Sequence, residues 1–327
     1  MPPTFILVSM VILGVSTIMG VFTNSVIVLV NFVDKVKGKK LNPSDLILMT
    51  LGSLNIFFQF IMLINDYLSF LDHDLYSSYQ IYTLFTVLLI LPIFSSFWFT
   101  VCLSVYYYLQ IVIFTHPFLM RMKLGVSRFI PKLLMASVFT SVANGLPAAL
   151  NRHKDHLFLN MSSNQSLEVI VPKVNVVYML PSTIISCSLP LAVIGVANGM
   201  IIKLLMKHSH KEDVNAQGNL SPRAEARRRA ARTIGCLLLL YISFYISEVL
   251  LFIDTFPRNS FGFCACLIVI YSYPPAQSIV LILGCPKLKQ VFFALLQCLF
   301  SKEQPKPPEI FCIKLQIRHF NSQHSNH

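Results

Sequence analysis

Seven stretches of this chain carry no Asp, Glu, Lys or Arg, or a single one: residues 1–33, 46–65, 75–120, 133–151, 174–202, 233–253 and 259–286, the sixth broken only at Glu248. Each supplies the roughly 20 apolar residues that a helix needs to cross a hydrocarbon layer. The runs are continuously apolar rather than alternating, which does not suit the strands of a membrane barrel. A helix, by contrast, satisfies its own backbone where water is missing. Composition agrees: 12% of the residues are charged, against roughly 25% in soluble domains. We therefore expect an all-α membrane protein, a seven-transmembrane helix bundle with spans over residues 7–33, 45–65, 80–114, 131–150, 176–206, 228–254 and 262–285.

The longest charge-free run holds FWFTVCLSVYYYLQIVIFTHP, residues 97–117, with the only tryptophan of the chain, Trp98. It reads as a long, tilted central helix, with Trp98 towards one membrane face and Thr115-His116-Pro117 at the other. Pro92 just before it is a candidate kink.

The flanking charges orient the bundle. With the first terminus outside, 22 of the 26 lysines and arginines fall on the cytoplasmic side, while Arg152, Lys154, Lys173 and Arg258 fall outside. That asymmetry predicts an extracellular N-terminus and a cytoplasmic C-terminus. The 14 acids divide evenly, so the outer mouth is net acidic and favours cationic or neutral solutes. The net charge of +12 marks a basic inner face of a multi-pass plasma-membrane protein. No basic patch interleaved with aromatics points to nucleic acid.

Asn24 and Asn31 share one helical face and can hydrogen-bond a neighbouring helix, and Asn55 and Gln59 lie one turn apart in the second span. Asn42-Pro-Ser44-Asp45 reads as a helix start with Ser44 or Asp45 as cap. The fourth span, preceded by an inner loop over 115–132, is rich in small residues that permit close packing. Asn160-Met-Ser162 and Asn164-Gln-Ser166 are N-glycosylation acceptors in the outer loop, and Asn219-Leu-Ser221 falls in the cytoplasm. The fifth span is expected to break at Pro181 and Pro190. Arg227, Arg228, Arg229 and Arg232 would meet anionic lipid or an acidic partner. Glu248 either faces a ligand pocket or reaches interfacial water. Residues 286–300 read as an amphipathic helix along the inner surface, Cys298 as a palmitoylation candidate, and 301–327 as a disordered tail. The eight cysteines show no disulfide framework.

The chain resembles the bitter taste receptors, the type 2 taste receptor family of G-protein-coupled receptors. The likeness is carried by Asn24-Ser-Val-Ile-Val-Leu-Val-Asn31 with Asp34-Lys-Val-Lys-Gly-Lys-Lys40, and by Leu103-Ser-Val-Tyr-Tyr-Tyr-Leu109 with Phe114-Thr-His-Pro117. Ser188-Leu-Pro190 with Lys207-His208, and Tyr273-Pro274 with Ile282-Leu-Gly284 and Pro286-Lys-Leu-Lys289, complete it. The chain departs from that pattern as well. It has Leu54-Asn55 where the family usually has Ser-Arg, Gln277-Ser278 for its His-Ser, Gln110 for a lysine, Lys35 for a tryptophan and Arg227 for a histidine.

The resemblance implies a pocket for small, mostly apolar or cationic bitter molecules in the extracellular half of the bundle. Trp98 falls on the family's pocket tryptophan, Phe244 on its sixth-helix aromatic and Leu267 on a seventh-helix pocket position. Ser95, Trp98 and Cys102 share a face at helical spacing. The expected ligand-binding set is Ser95, Trp98, Phe99, Cys102, Asn65, Asp66, Phe244, Ser247, Glu248 and Leu267, with Trp98 as an interfacial belt residue the alternative reading. A gustducin-like heterotrimeric G protein is implied at Tyr107, Gln110, His116, Lys203, Lys207, Arg229, Arg232 and Lys287. Paired carboxylates, a nucleophile with its base, metal-ligand spacing and a phosphate loop are all missing, so no enzyme activity, cofactor or metal is expected. Two other readings are a vomeronasal pheromone receptor, disfavoured by the seventh-helix ending, and a small transporter, disfavoured by seven unequal spans.

Overall fold

The structure, a computed structural model, describes residues 4–71, 79–111, 117–150, 152–160, 166–174, 176–212, 222–253, 255–257 and 260–300. Among the described residues, seven helices are long and apolar enough to cross a membrane. They are Thr4–Val36, Pro43–Leu71, Tyr79–Ile111, Pro117–Leu150, a composite fifth from Val176 to Glu212, Pro222–Phe252 and Phe261–Gly284. The chain is a seven-span membrane bundle, as its charge-free runs predict. Pro286–Phe300 forms a further helix in a unit separate from the bundle. The tail expected to be disordered, 301–327, lies outside the described residues.

The third span is the axis of the packing, with the second, fourth, fifth and sixth arranged against it. More than half of its apolar window is buried, as it is in the seventh. The first span packs on the second and seventh but buries only 17% of its window. Its other face, with Val11, Val15, Ile18 and Phe22, is left exposed as lipid requires.

Local chemistry sets the ends and the irregular turns. The first helix closes at Gly38, whose φ of 74° suits a residue without Cβ, and Lys39 N–H reaches back to Asp34 O at 3.0 Å. The second helix begins at Pro43, one position ahead of the expected caps, with Leu46 N–H on Asn42 O at 3.1 Å. A proline fits the first helical position because its missing donor would be unpaired there anyway. The fourth helix starts at Pro117, so most of the expected inner loop is helical; Phe118, Leu119, Met120, Leu124 and Val126 prolong the apolar pattern between the basic residues.

The fifth span does not break at its prolines. Between Pro181 and Pro190 it widens into a π-helical turn, Ile184–Ser188, where Leu189 N–H bonds Ile184 O. Pro190 has no N–H to give, and the wider turn takes up the mismatch. Pro92 likewise stays inside a continuous third helix.

One element is absent from the sequence expectations. Arg152–Asn160 (β1) and Ser166–Val174 (β2) pair antiparallel in unbroken register from Arg152↔Val174 to Asn160↔Ser166. The β-branched run Val169-Ile170-Val171 in β2 suits a strand. This ribbon marks one end of the bundle, the hairpin end.

Candidate functional site: an aromatic cavity between four spans

Aromatic spacing in the third and sixth helices builds the site. Phe97 stacks on Tyr241 with ring centroids 3.9 Å apart, and meets Phe244 edge-on at 5.4 Å and Tyr273 at 6.1 Å. Phe244 and Tyr273 are 4.8 Å apart. Tyr241 and Phe244 sit three residues apart, on one face of the sixth helix. All four rings are buried, and such pairs contribute about 0.5–1.5 kcal/mol each beyond their burial. Beside them lies a cavity lined by Asn55, Phe58, Pro92, Ile93, Ser96, Phe97, Phe244, Tyr273 and Pro274, with room for about one water. Its wall is apolar apart from Asn55, Ser96 and the Tyr273 hydroxyl.

Two polar systems flank the cavity. Towards the fifth span, Tyr241 OH donates to the carbonyl of Cys187 within the π-helical turn, and the Ser188 and Tyr245 hydroxyls are 2.7 Å apart. Glu248, one turn beyond Phe244, is 7% exposed and its Oε2 has no hydrogen-bond partner among the described residues. Between the first, second and seventh spans, Asn55 Nδ2 donates to Asn24 Oδ1 at 3.1 Å and to Gln277 Oε1 at 2.8 Å. Thr23 and Ser278 hydroxyls add a contact of 2.6 Å. Gly20 permits this close approach, since a Cβ there would collide with the Gln59 amide. Asn31, paired with Asn24 in the sequence pattern, donates to Ile27 O of its own helix at 3.0 Å.

The expected ligand set divides on the structure. Phe244 belongs to the cavity wall. Ser95, Trp98, Phe99 and Cys102 occupy the adjoining face of the third helix, outside that wall. The Cys102 thiol faces Ser137 of the fourth span. Ser95 Oγ and Trp98 Nε1 are buried without partners among the described residues, and Trp98 packs against the edge of the apolar core. Ser247 is buried beside Cys266 of the seventh span, and Leu267 is half-buried. Asn65 and Asp66 lie near the end of the second helix; Asn65 Nδ2 donates to Asp66 Oδ1 at 3.2 Å, and Asp66 Oδ2 accepts from Tyr271 OH. Phe97 and Tyr273, on the cavity wall, and Tyr241, stacked on Phe97, lie outside the expected ligand set. Tyr241 lies one turn before Phe244, so helical spacing is the available signal for it, whereas Phe97, next to Trp98, turns to a different face.

At the opposite end, Tyr107 packs on the core, and Gln110 is exposed with its carbonyl accepting from Lys123 Nζ at 3.2 Å. Arg229 is tied to Glu225 at 2.6 Å. Arg232 continues the exposed row of Leu239 and Ile246, and Lys203 that of Leu189 and Val196. These two cations therefore face outward rather than towards Tyr107. Lys207 lies on the fifth helix, and Lys287 on the separate amphipathic helix. His116 and Asn164 fall outside the described residues, while Asn160 ends β1. Among the described residues no group of three His, Cys, Asp or Glu could hold a metal ion, and the seven described cysteines are free.

The family model described as "Taste receptor protein (TAS2R)" matches residues 1–300. The chain is 28% identical over 283 residues to taste receptor type 2 member 40 of Gallus gallus, covering 86% of this chain and 91% of that one. It is 29% identical to member 7 of Pongo pygmaeus, over 83% of this chain and 86% of the relative. With member 39 of Macaca mulatta the identity is 26%, over 89% and 86% of the two chains. Seven apolar spans together with a family match over nearly the whole bundle place the chain in one group of receptors: it belongs to the type 2 taste receptors, the bitter taste family of G-protein-coupled receptors.

Proposed function

We propose that the receptor sits in the plasma membrane with its hairpin end outside, binds small, mostly apolar or cationic bitter molecules in the outer half of the bundle with their leading group in the cavity between the second, third, sixth and seventh spans, and activates a gustducin-like heterotrimeric G protein at the opposite end. The observation that carries this reading is the wall of Phe58, Phe97, Phe244 and Tyr273 around a narrow cavity, since apolar walls with few polar groups suit small apolar ligands. Glu248, buried one turn nearer the hairpin end with an oxygen unpaired among the described residues, would receive the ammonium of a cationic agonist. Asn65 and Asp66 would line the entrance. Ser95, Trp98, Phe99 and Cys102 would shape the third helix behind the wall, with Ser247 and Leu267 closing the side towards the seventh span.

Signalling would be a shift of population: agonist binds better to the arrangement whose inner ends of the fifth and sixth spans are apart, and the G protein occupies that gap. Tyr107, Gln110, Lys207 and Arg229 would border it, and Lys203 and Arg232 its outer rim. The test is a calcium readout with a chimeric G protein against a panel of bitter compounds, in cells shown to carry the receptor at the surface. A dose-dependent response to at least one compound is expected. Silence across the panel despite surface expression overturns the reading.

A further inference from the structure

Asn55 occupies the position at which this chain departs from the arginine that the resemblance leads one to expect, and it is one of the few polar residues on the cavity wall. Its neighbours fix which way its amide points. Asn24 Nδ2 is directed at two main-chain carbonyls, Gly20 O at 2.8 Å and Pro274 O at 3.4 Å. Carbonyls only accept, so Asn24 must turn Oδ1 towards Asn55. Gln277 directs Nε2 to Tyr273 OH at 3.1 Å and Thr100 Oγ1 at 3.4 Å, and turns Oε1 the same way. Two acceptors therefore claim the two hydrogens of Asn55 Nδ2. What remains is Oδ1, to which no described residue donates, on a side chain that is 2% exposed and forms part of the cavity wall.

We infer that Asn55 Oδ1 is the hydrogen-bond acceptor at the inner end of the agonist cavity, and that it selects ligands whose leading tip is a donor, a hydroxyl or an N–H. An arginine at this position offers donors only and favours the opposite class, ligands tipped with an acceptor or an anion. The narrowness of the cavity limits the group that reaches Asn55 to one of about the size of a hydroxyl. The inference rests on the proposal that agonists enter this cavity, and its test has a readout that does not need signalling.

The probes are 4-alkylphenols and their methyl ethers, which differ in one donor hydrogen at the tip. Each pair is titrated against the full-length receptor in detergent, following thermal stabilisation, and against receptor-expressing cells, following calcium. In the wild type, the phenol should act at a concentration about five- to tenfold lower than its ether, the worth of one hydrogen bond in a dry site. Asn55→Leu should erase the preference, and so should Asn55→Arg, whose donors meet the phenol and ether oxygens alike. Gln277→Leu, which disturbs the same amide cluster but leaves Asn55 Oδ1 in place, should keep it. The arginine variant serves if the leucine variant does not fold. Equal potency of phenol and ether in the wild type, no stabilisation by either, or a preference that survives both Asn55 variants overturns the inference. Phenol-selective stabilisation without a calcium response upholds it and overturns the signalling proposal instead.

Discussion

Tyr241 donates its hydroxyl hydrogen to the carbonyl of Cys187, so the sixth span grips the fifth at the turn where its helix widens. The carbonyl is buried and stands beside Pro190, where the regular helical ladder is interrupted. The same tyrosine ring stacks on Phe97 of the cavity wall. Tyr241→Phe keeps the stack and removes the donor, losing one buried hydrogen bond at a cost of about 0.5–1.5 kcal/mol. The variant should unfold at a clearly lower temperature in detergent than the wild type. Tyr245→Phe, whose partner Ser188 is half-buried, should lose less. Matching melting curves for Tyr241→Phe and wild type would show that the bond contributes nothing.

Glu248 gives the cavity region its one buried acid among the described residues. If it receives ammonium groups, Glu248→Gln replaces a charge-assisted contact by a neutral one. Such contacts contribute about 1.5–3 kcal/mol, so amine agonists should lose tenfold or more in potency. Uncharged agonists should shift little. The comparison uses concentration–response curves for the two classes on both receptors; parallel shifts in the two classes would sink the assignment.

Trp98 and Phe97 are neighbours in sequence with different surroundings. Phe97 is 1% exposed at the centre of the aromatic cluster, whereas Trp98 is half-buried on the adjoining face. Trp98→Ala is expected to abolish or strongly reduce the agonist response without loss of surface expression. Phe97→Ala should also lower the thermal stability, by the roughly 3–5 kcal/mol typical of a large aromatic removed from a core. A surface-expressed Trp98→Ala receptor with an unchanged response curve would remove that residue from the site.

Much of the fold is legible in the charge pattern, because a helix in lipid must be long, apolar and self-satisfied. The centrality of the third span follows from its length and uninterrupted apolarity. What is not legible is rotation about each helix axis. In a span apolar on all sides, no polar face says which way Trp98 or Phe97 turns; packing decides, and packing is not local. The amide cluster shows the same boundary. Asn24, Asn55 and Gln277 each stand out as polar groups in apolar runs, but their meeting depends on three spans more than 200 residues apart in sequence at the extremes. The π-helical turn is hidden for another reason: two prolines read locally as breaks, and only the packed fifth span shows that a wider turn carries the helix past them. The hairpin escapes because the charged and polar residues of β1 read as loop, although Val169-Ile170-Val171 in β2 has strand character.

The final prediction concerns which way the bundle faces. Asn160 closes β1, and the strand-to-strand connection that follows carries the second acceptor triplet, Asn164-Gln-Ser166. Asn219-Leu-Ser221 lies between the fifth and sixth spans, on the opposite side of the membrane if the spans alternate. Glycosyl transfer takes place in the lumen, so these triplets report the side of the membrane independently of ligand binding. Endoglycosidase treatment of the wild type should increase its gel mobility. Asn160→Gln and Asn164→Gln together should remove that change, and Asn219→Gln should leave it intact. The 22 basic residues assigned to the inner side make the reverse orientation costly by the positive-inside rule. Sugar lost only in Asn219→Gln would place the hairpin in the cytosol and invert the assignment of every ligand-facing and G-protein-facing residue.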